Sequence, residues 1–463
     1  MIESDVLDRV LNEARCHGAG FAEVYAEDRR NTGVAFDDGR VDGVSSGRDR
    51  GAGIRVVNGV TTGYAHTSDL SERGLLVAAR AAADAAGSAD GGSVVVALDD
   101  KRSGAGTKVE VDPQAVPKAR RVEMLTEVDE IARSINGAVT QVSAGLSDSY
   151  RSVLIANSDG VFVTDEVTRV LFRVSVVADG DLGMQTGAES LGFTGGWEVF
   201  DRYSLAGLAT EAAEQAVRKL HARPAPSGQL PVVIAQGTGG VLFHEACGHG
   251  LEADHIAKGA SVYAGRVGEL VASPLVTLVD DGTVDGEWGT RSFDDEGQPT
   301  RRNVLIEDGV LVDYMWDHIR ARDEQRSPSG NGRRQDYASL PMVRMTNTFV
   351  LAGEDDPDDI ISSTEHGVYV AKLGGGSVNT ASGDFVFGMR DAYLIENGQI
   401  TEPLREGNLI GNGPQVLSDI DMLGTDFSMG GPGTCGKDGQ GVPVGTGQPT
   451  LRVSSMTIGG TAA

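Results

Sequence analysis

Residues 243–254 read Phe-His-Glu-Ala-Cys-Gly-His-Gly-Leu-Glu-Ala-Asp, and no other stretch of the chain constrains its fold so sharply. A zinc-hydrolase helix usually carries H-E-x-x-H, with two histidines four apart on one face and the glutamate beside them as general base. Here His244 and His249 are five apart, giving H-E-x-x-x-H. At about 100° per residue, five helical positions turn the second side chain about 140° away from the first. Both rings can meet one ion only if one turn widens to i→i+5, a π-bulge, or if the helix breaks at Gly248 or Gly250. Accident is the competing explanation, since a single histidine is more often structural than a ligand. The chain has only eight histidines, however, and three of them, His244, His249 and His255, fall within 12 residues.

Catalytic zinc takes three protein donors and leaves one position open, so a third donor is required. The candidates are Cys247, Glu252, Asp254, His255 and, far downstream, Cys435. Cys247 lies three residues after His244 on a nearby helical face, but it also reads as a small buried residue, the usual fate of a free cysteine. Cys435 sits in Gly430-Gly431-Pro432-Gly433-Thr434-Cys435-Gly436-Lys437, where flanking glycines let the backbone approach closely. Cys16 completes an odd, widely spaced set of three, which reads as reduced thiols. The first residues, Met1 to Val6, lack the basic and apolar regions of a signal peptide, and no 18-residue apolar run occurs. The expectation is a cytoplasmic protein without a membrane span. A formal charge of −27 argues against nucleic acid or an anionic membrane as partner, because phosphate binding needs clustered Lys and Arg.

Along the chain, apolar residues at helical spacing predict helices over 4–17, 69–86, 119–136 and 201–221. Between them, strands are expected at 22–27, 33–36, 41–45, 53–57, 60–65, 93–98, 138–144, 152–156, 160–164 and 167–178. Turns at Asp37-Asp38-Gly39 and Asn58-Gly59 join neighbouring strands as hairpins. Helix, strands, helix, strands is an α+β order. Arg223-Pro224-Ala225-Pro226-Ser227-Gly228 reads as a linker, so residues 1–222 are expected to form an N-terminal α+β domain and 223–463 a mostly β C-terminal domain carrying the motif helix. Further hairpin turns are expected at Glu307-Asp308-Gly309 and Glu396-Asn397-Gly398.

Three blocks carry a resemblance to a known family: His244 to Asp254, Arg344-Met345-Thr346-Asn347-Thr348, and Cys435-Gly436-Lys437-Asp438-Gly439-Gln440 leading into Val442-Pro443-Val444-Gly445. With these, the chain resembles the TldD/PmbA metallopeptidases over nearly its whole length, and specifically the TldD branch, since the PmbA branch lacks the H-E-x-x-x-H ligands. The resemblance implies a zinc-dependent peptidase acting on unfolded or extended peptides. It also implies metal ligands at His244, His249 and Cys435, with Glu245 as the motif glutamate. The assembly it implies is a dimer, either a homodimer or a heterodimer with a PmbA-like subunit, with the first domain serving assembly and walling the cavity.

The chemistry is consistent with those roles. Two imidazoles and a thiolate leave Zn²⁺ a net positive charge and a vacant position, which brings the pKa of a bound water toward about 7. Glu245 is then placed to take that water's proton and pass it to the leaving nitrogen. His255, Tyr337, Arg344 and Lys437 are candidates to stabilise the oxyanion. An extended substrate would pair through its backbone with an exposed strand edge, and Gly374 to Thr380 could line such a groove or form loops. Two rival readings stand: a non-catalytic zinc-stabilised peptide-binding subunit, closed by a fourth ligand such as Cys247, and a metal-dependent amidase.

Overall fold

In the computed structural model, which describes residues 1–87, 97–98, 100–237 and 239–460, the N-terminal strands are far longer than local alternation suggests. Phe21–Asp37 and Arg40–Asn58 form one continuous hairpin, and Val139–Asn157 with Val161–Ala178 form another. Polar stretches such as Asp28 to Thr32 break the apolar pattern without breaking the strand. Their backbones are paired on both sides, Arg29 opposite Asp49 and Arg151 alike. The first turn is a two-residue loop with Asp38 and Gly39 both at positive φ (49° and 78°), the twist a tight hairpin prefers. The strand expected over 93–98 falls, apart from Ala97 and Leu98, outside the described residues.

These strands build one sheet together with Thr61–Thr67, Asp100–Ser103 and Gln185–Thr194. Helices Ser4–Ala14 and Glu72–Ala86 cover part of one face, through Leu7, Val10, Leu11, Leu75, Ala79 and Ala82. Helices Lys118–Ile135 and Leu205–Lys219 cover another part, with Leu125, Val128, Ala212 and Ala216 buried on it. Phe21 to Glu27 is buried at every position, because the face away from the helices meets the second half of the chain, where Tyr25 packs with Phe293 and Tyr337.

Among the described residues, 223–459 supply a two-stranded sheet, Gly332–Arg333 with Met342–Val343, and two further large sheets. In one, strand His366–Val378 pairs with Gly228–Ile234, which continues through Leu451–Gly459, Asn408–Asn412 and Asp384–Glu396 back to His366–Val378, closing a barrel. The other holds Leu278–Asp281, Asn347–Val350 and Gln440–Gln448. The expected linker is not free chain: Arg223 and Pro224 pair with Leu404 and Arg405. The architecture is α+β, as the element order predicts. The motif helix starts at Gly240 and is wedged between barrel and second sheet, with Phe243, Ala246, Cys247 and Leu251 in the same apolar core as Ile234, Leu373 and Phe387.

Candidate metal centre

The helix that begins at Gly240 widens over His244–Gly248, where the His249 N–H bonds to the His244 carbonyl, an i→i+5 step. Of the two geometries open to H-E-x-x-x-H, the chain takes the π-bulge. Glycines make room for it. A Cβ on Gly248 would run into Met345 Sδ, and one on Gly413 would run into the Ala246 carbonyl oxygen. The bulge turns His249 back beside His244, with ring centroids 5.0 Å apart and planes at 84°.

Cys435 arrives from the hairpin formed by Gly433–Lys437 and Gln440–Gln448, turned at Asp438 and Gly439, both at positive φ. Its Sγ stands 3.4 Å from His249 Nε2. Donor atoms of His244, His249 and Cys435 all lie within 4.8 Å of one another, and the three residues are 2%, 7% and 3% exposed. Burial alone would push the Cys435 thiol up. The charge of His244 and the hydrogen bonds from both histidines outweigh it and hold the thiol well below its ordinary value. His244 Nδ1 is buried with no hydrogen-bond partner among the described residues. Two buried imidazoles beside a thiol held toward its anion fit a thiophilic divalent cation such as zinc.

Glu245 is the member of the group that reaches open space, its side chain 19% exposed and its Oε2 4.0 Å from His249 Nε2. Burial raises its pKa, against the opposing pull of the two histidines. Cys247 is not in the cluster. Its Sγ donates to the Phe243 carbonyl at 3.1 Å, and burial pushes its pKa up to about 12.

Glu252, Asp254 and His255 gather in a second acidic group, but Lys437 Nζ already occupies it, 2.9 Å from Glu252 Oε2 and 2.7 Å from Asp254 Oδ1. Glu252 Oε2 is also 3.1 Å from His249 Nδ1. Burial opposes ionisation of Glu252, yet His249 and Lys437 together bring its pKa down to about 2. Of the four oxyanion candidates, His255 and Lys437 share Glu252, Arg344 lies behind Cys435 and Tyr337 stands apart. Tyr337 packs on the N-terminal hairpin near Asp49, Arg344 donates to the carbonyls of Cys435 and Gln440, Lys437 is held as above, and His255 Nε2 lies 3.6 Å from Glu252.

Sequence reasoning missed Asp280, which anchors the Arg344–Thr348 block. It accepts from the Thr346 N–H and hydroxyl, the Thr348 hydroxyl and the Asn331 amide, fixing the strand beside the bulge. The alternation Thr346-Asn347-Thr348, which puts two hydroxyls on one strand face, was the available signal.

Residues 227–460 match the PmbA/TldA metallopeptidase C-terminal domain, 111–220 the central domain and 22–86 domain 1 of the same family. This chain belongs to the PmbA/TldD metallopeptidase family. A Haemophilus influenzae protein named as a TldD metalloprotease homologue is 40% identical over 95% of this chain and 93% of its own. A Methanothermobacter thermautotrophicus metalloprotease is 35% identical over 99% of this chain and 100% of its own. Among solved structures, TldE from Thermococcus kodakarensis superposes with a TM-score of 0.78 at 19% identity, covering 98% of this chain and 99% of that one, and so shares the family fold. No helix among the described residues is long and apolar enough to cross a membrane.

Proposed function

We propose that this family member is a zinc-dependent peptidase that hydrolyses peptide bonds in unfolded or extended chains, with His244, His249 and Cys435 holding the metal and Glu245 as general base. The observation that carries the reading is the convergence of three buried donors within 4.8 Å, with one partly exposed carboxylate beside them. A bound zinc ion supplies Lewis acidity, polarising the scissile carbonyl and acidifying a water. Glu245 accepts the proton from the attacking water and returns it to the departing amine nitrogen, a task suited to a carboxyl whose pKa is raised by burial. His244 and His249 are held in place by the core around them, 2% and 7% exposed.

An extended substrate has a strand edge to pair with. The pairing of His366–Val378 with Gly228–Ile234 covers only Val368 to Val370, so from Lys372 to Val378 the strand has Asp384–Glu396 on one side and no described strand on the other. Gly375, Gly376 and Ser377 are exposed there, and the strand packs against the widened turn. Backbone pairing of this kind accepts many side chains, which suits disordered polypeptides. In the same reading, residues 223–463 form the metallopeptidase domain and 1–222 the wall and assembly domain of a cytoplasmic dimer, with an identical chain or a PmbA-like subunit.

A closed, purely structural zinc site would need a fourth protein ligand. Cys247, the nearest thiol, is spent on the Phe243 carbonyl, and this favours the open, catalytic arrangement. The test is metal analysis with cleavage of a disordered polypeptide. Glu245→Gln is expected to keep stoichiometric zinc and lose at least about 100-fold in rate, while Cys435→Ala loses the zinc. Wild-type cleavage by Glu245→Gln would refute the mechanism.

A further inference from the structure

The donor triad explains neither the fully buried Glu252 nor the buried Lys437. We propose that Glu252, locked by Lys437, is the positioning residue that aims His249 at the metal. The inference rests on the ligand reading above and adds two residues that touch neither metal nor substrate.

An ionised carboxylate can only accept hydrogen bonds. With Glu252 Oε2 3.1 Å from Nδ1, the His249 ring must carry its proton on Nδ1. Nε2 is then the nitrogen that faces the donor set, where Cys435 Sγ stands 3.4 Å away, and is the one a metal would take. The carboxylate therefore selects the tautomer that can coordinate and fixes the plane of the ring, as outer partners of ligating histidines generally do. Glu252 comes three residues after His249, directly past the short turn His249–Leu251, so the backbone holds the pair together.

A buried carboxylate needs a counter-charge, and Lys437 supplies it. Lys437 is itself tied to Asp254 and to the Val343 carbonyl, at 2.7 Å and 3.1 Å. Cys435 and Lys437 are two apart on the strand Gly433–Lys437, so both side chains leave the same face. Docking this hairpin delivers the thiol to the metal position and the ammonium to Glu252 in one movement. The ammonium also accounts for the second acidic group without a second metal, since it lies between the carboxylates that would have to ligate one.

The experiment measures zinc affinity of the full chain by chelator competition, with melting of each metal-free protein as a control for folding. Glu252→Ala and Lys437→Met are expected to weaken zinc binding by about 10–100-fold, the usual effect of losing an outer partner of a ligating histidine. Glu252→Gln keeps a carbonyl oxygen for the Nδ1 proton and is expected to stay close to wild type. The double variant Glu252→Gln with Lys437→Met is expected to bind better than Lys437→Met alone, because a neutral amide needs no counter-charge. Should Glu252→Ala fail to fold, the comparison of Lys437→Met with the double variant decides the matter. Wild-type affinity in Glu252→Ala and Lys437→Met, or equal losses in all four variants tracking their melting, would overturn the proposal. Failure of the ligand reading is separately visible, as unchanged zinc binding in Cys435→Ala.

Discussion

Single residues in and beside the candidate metal centre differ by what surrounds them, and the two buried thiols show this most clearly. Cys435 and Cys247 are both buried, but Cys435 faces two imidazoles and Cys247 a backbone carbonyl. Their pKa values move in opposite directions, Cys435 well down and Cys247 up to about 12. In metal-free protein Cys435 is therefore the more readily ionised of the two buried thiols and the better nucleophile. Iodoacetamide labelling followed by peptide mapping is expected to modify Cys435 and spare Cys247, with added zinc protecting Cys435. Preferential labelling of Cys247 would show that these environments have been misassigned. In the sequence these thiols were rival candidates: Cys247 lay close by in the motif, and the family resemblance implied Cys435. Burial and the bond to the Phe243 carbonyl, one turn back in the same helix, set Cys247 apart from the cluster.

The widened turn is the element on which the site depends. An i→i+5 step is costly in isolation, so surrounding backbone must hold it open. Gly413 comes close enough that a Cβ would strike the Ala246 carbonyl oxygen, while the Tyr263 hydroxyl donates to that same oxygen at 3.3 Å. Gly413→Ala is expected to push the bulge aside, lowering zinc affinity and costing about 1–3 kcal/mol of stability, as overpacking commonly does. Chelator competition and urea denaturation measure the two effects, and unchanged zinc affinity would mean the bulge tolerates the intrusion. That the turn must widen or break was legible in H-E-x-x-x-H, whereas the glycine that accommodates the bulge lies 164 positions beyond His249 (413 − 249) and carries no local signature. Tight turns were the most legible elements. Asp38-Gly39, Asp308-Gly309 and Asn397-Gly398 all sit at positive φ in two-residue hairpins, and Asp438-Gly439 does the same in the hairpin that carries Cys435.

At the scale of the whole molecule, a buried ionic seam joins the N-terminal sheet to the C-terminal half. Arg55 reaches both Glu23 and Glu296, at 3.0 Å and 2.7 Å, and Arg334 pairs with Glu23 from the other side. Asp317 lies in this region with its carboxylate capping the Arg320 N–H. Burial first, and then the charge of Glu296, raise its pKa from 3.8 to about 7. Between about pH 4 and pH 7 the folded chain therefore holds a proton that the unfolded chain has released. Its contribution is full below about pH 4 and is lost as pH rises toward 7. Asp317→Asn keeps the cap and abolishes the titration. Its stability relative to wild type is expected to rise by about 2–4 kcal/mol between pH 4 and pH 7.5 and then level off. Urea denaturation of the metal-free proteins checks this, and a pH-independent difference would show that Asp317 is not protonated in the fold.

By itself, the sequence determined the features that depend on a few adjacent residues. These are the helices with their apolar spacing, the Asp-Gly and Asn-Gly hairpins, the α+β order and the requirement that H-E-x-x-x-H widen or break its turn. Only the tertiary structure shows how Cys435, the donor the family resemblance implied, reaches the two histidines, because it is 186 positions from His249 and its approach depends on a sheet, a hairpin and the Arg344 that holds its carbonyl. The unbroken length of the N-terminal strands was decided the same way. Backbone pairing from both sides keeps a polar segment extended, and that partner is not written in the segment it stabilises.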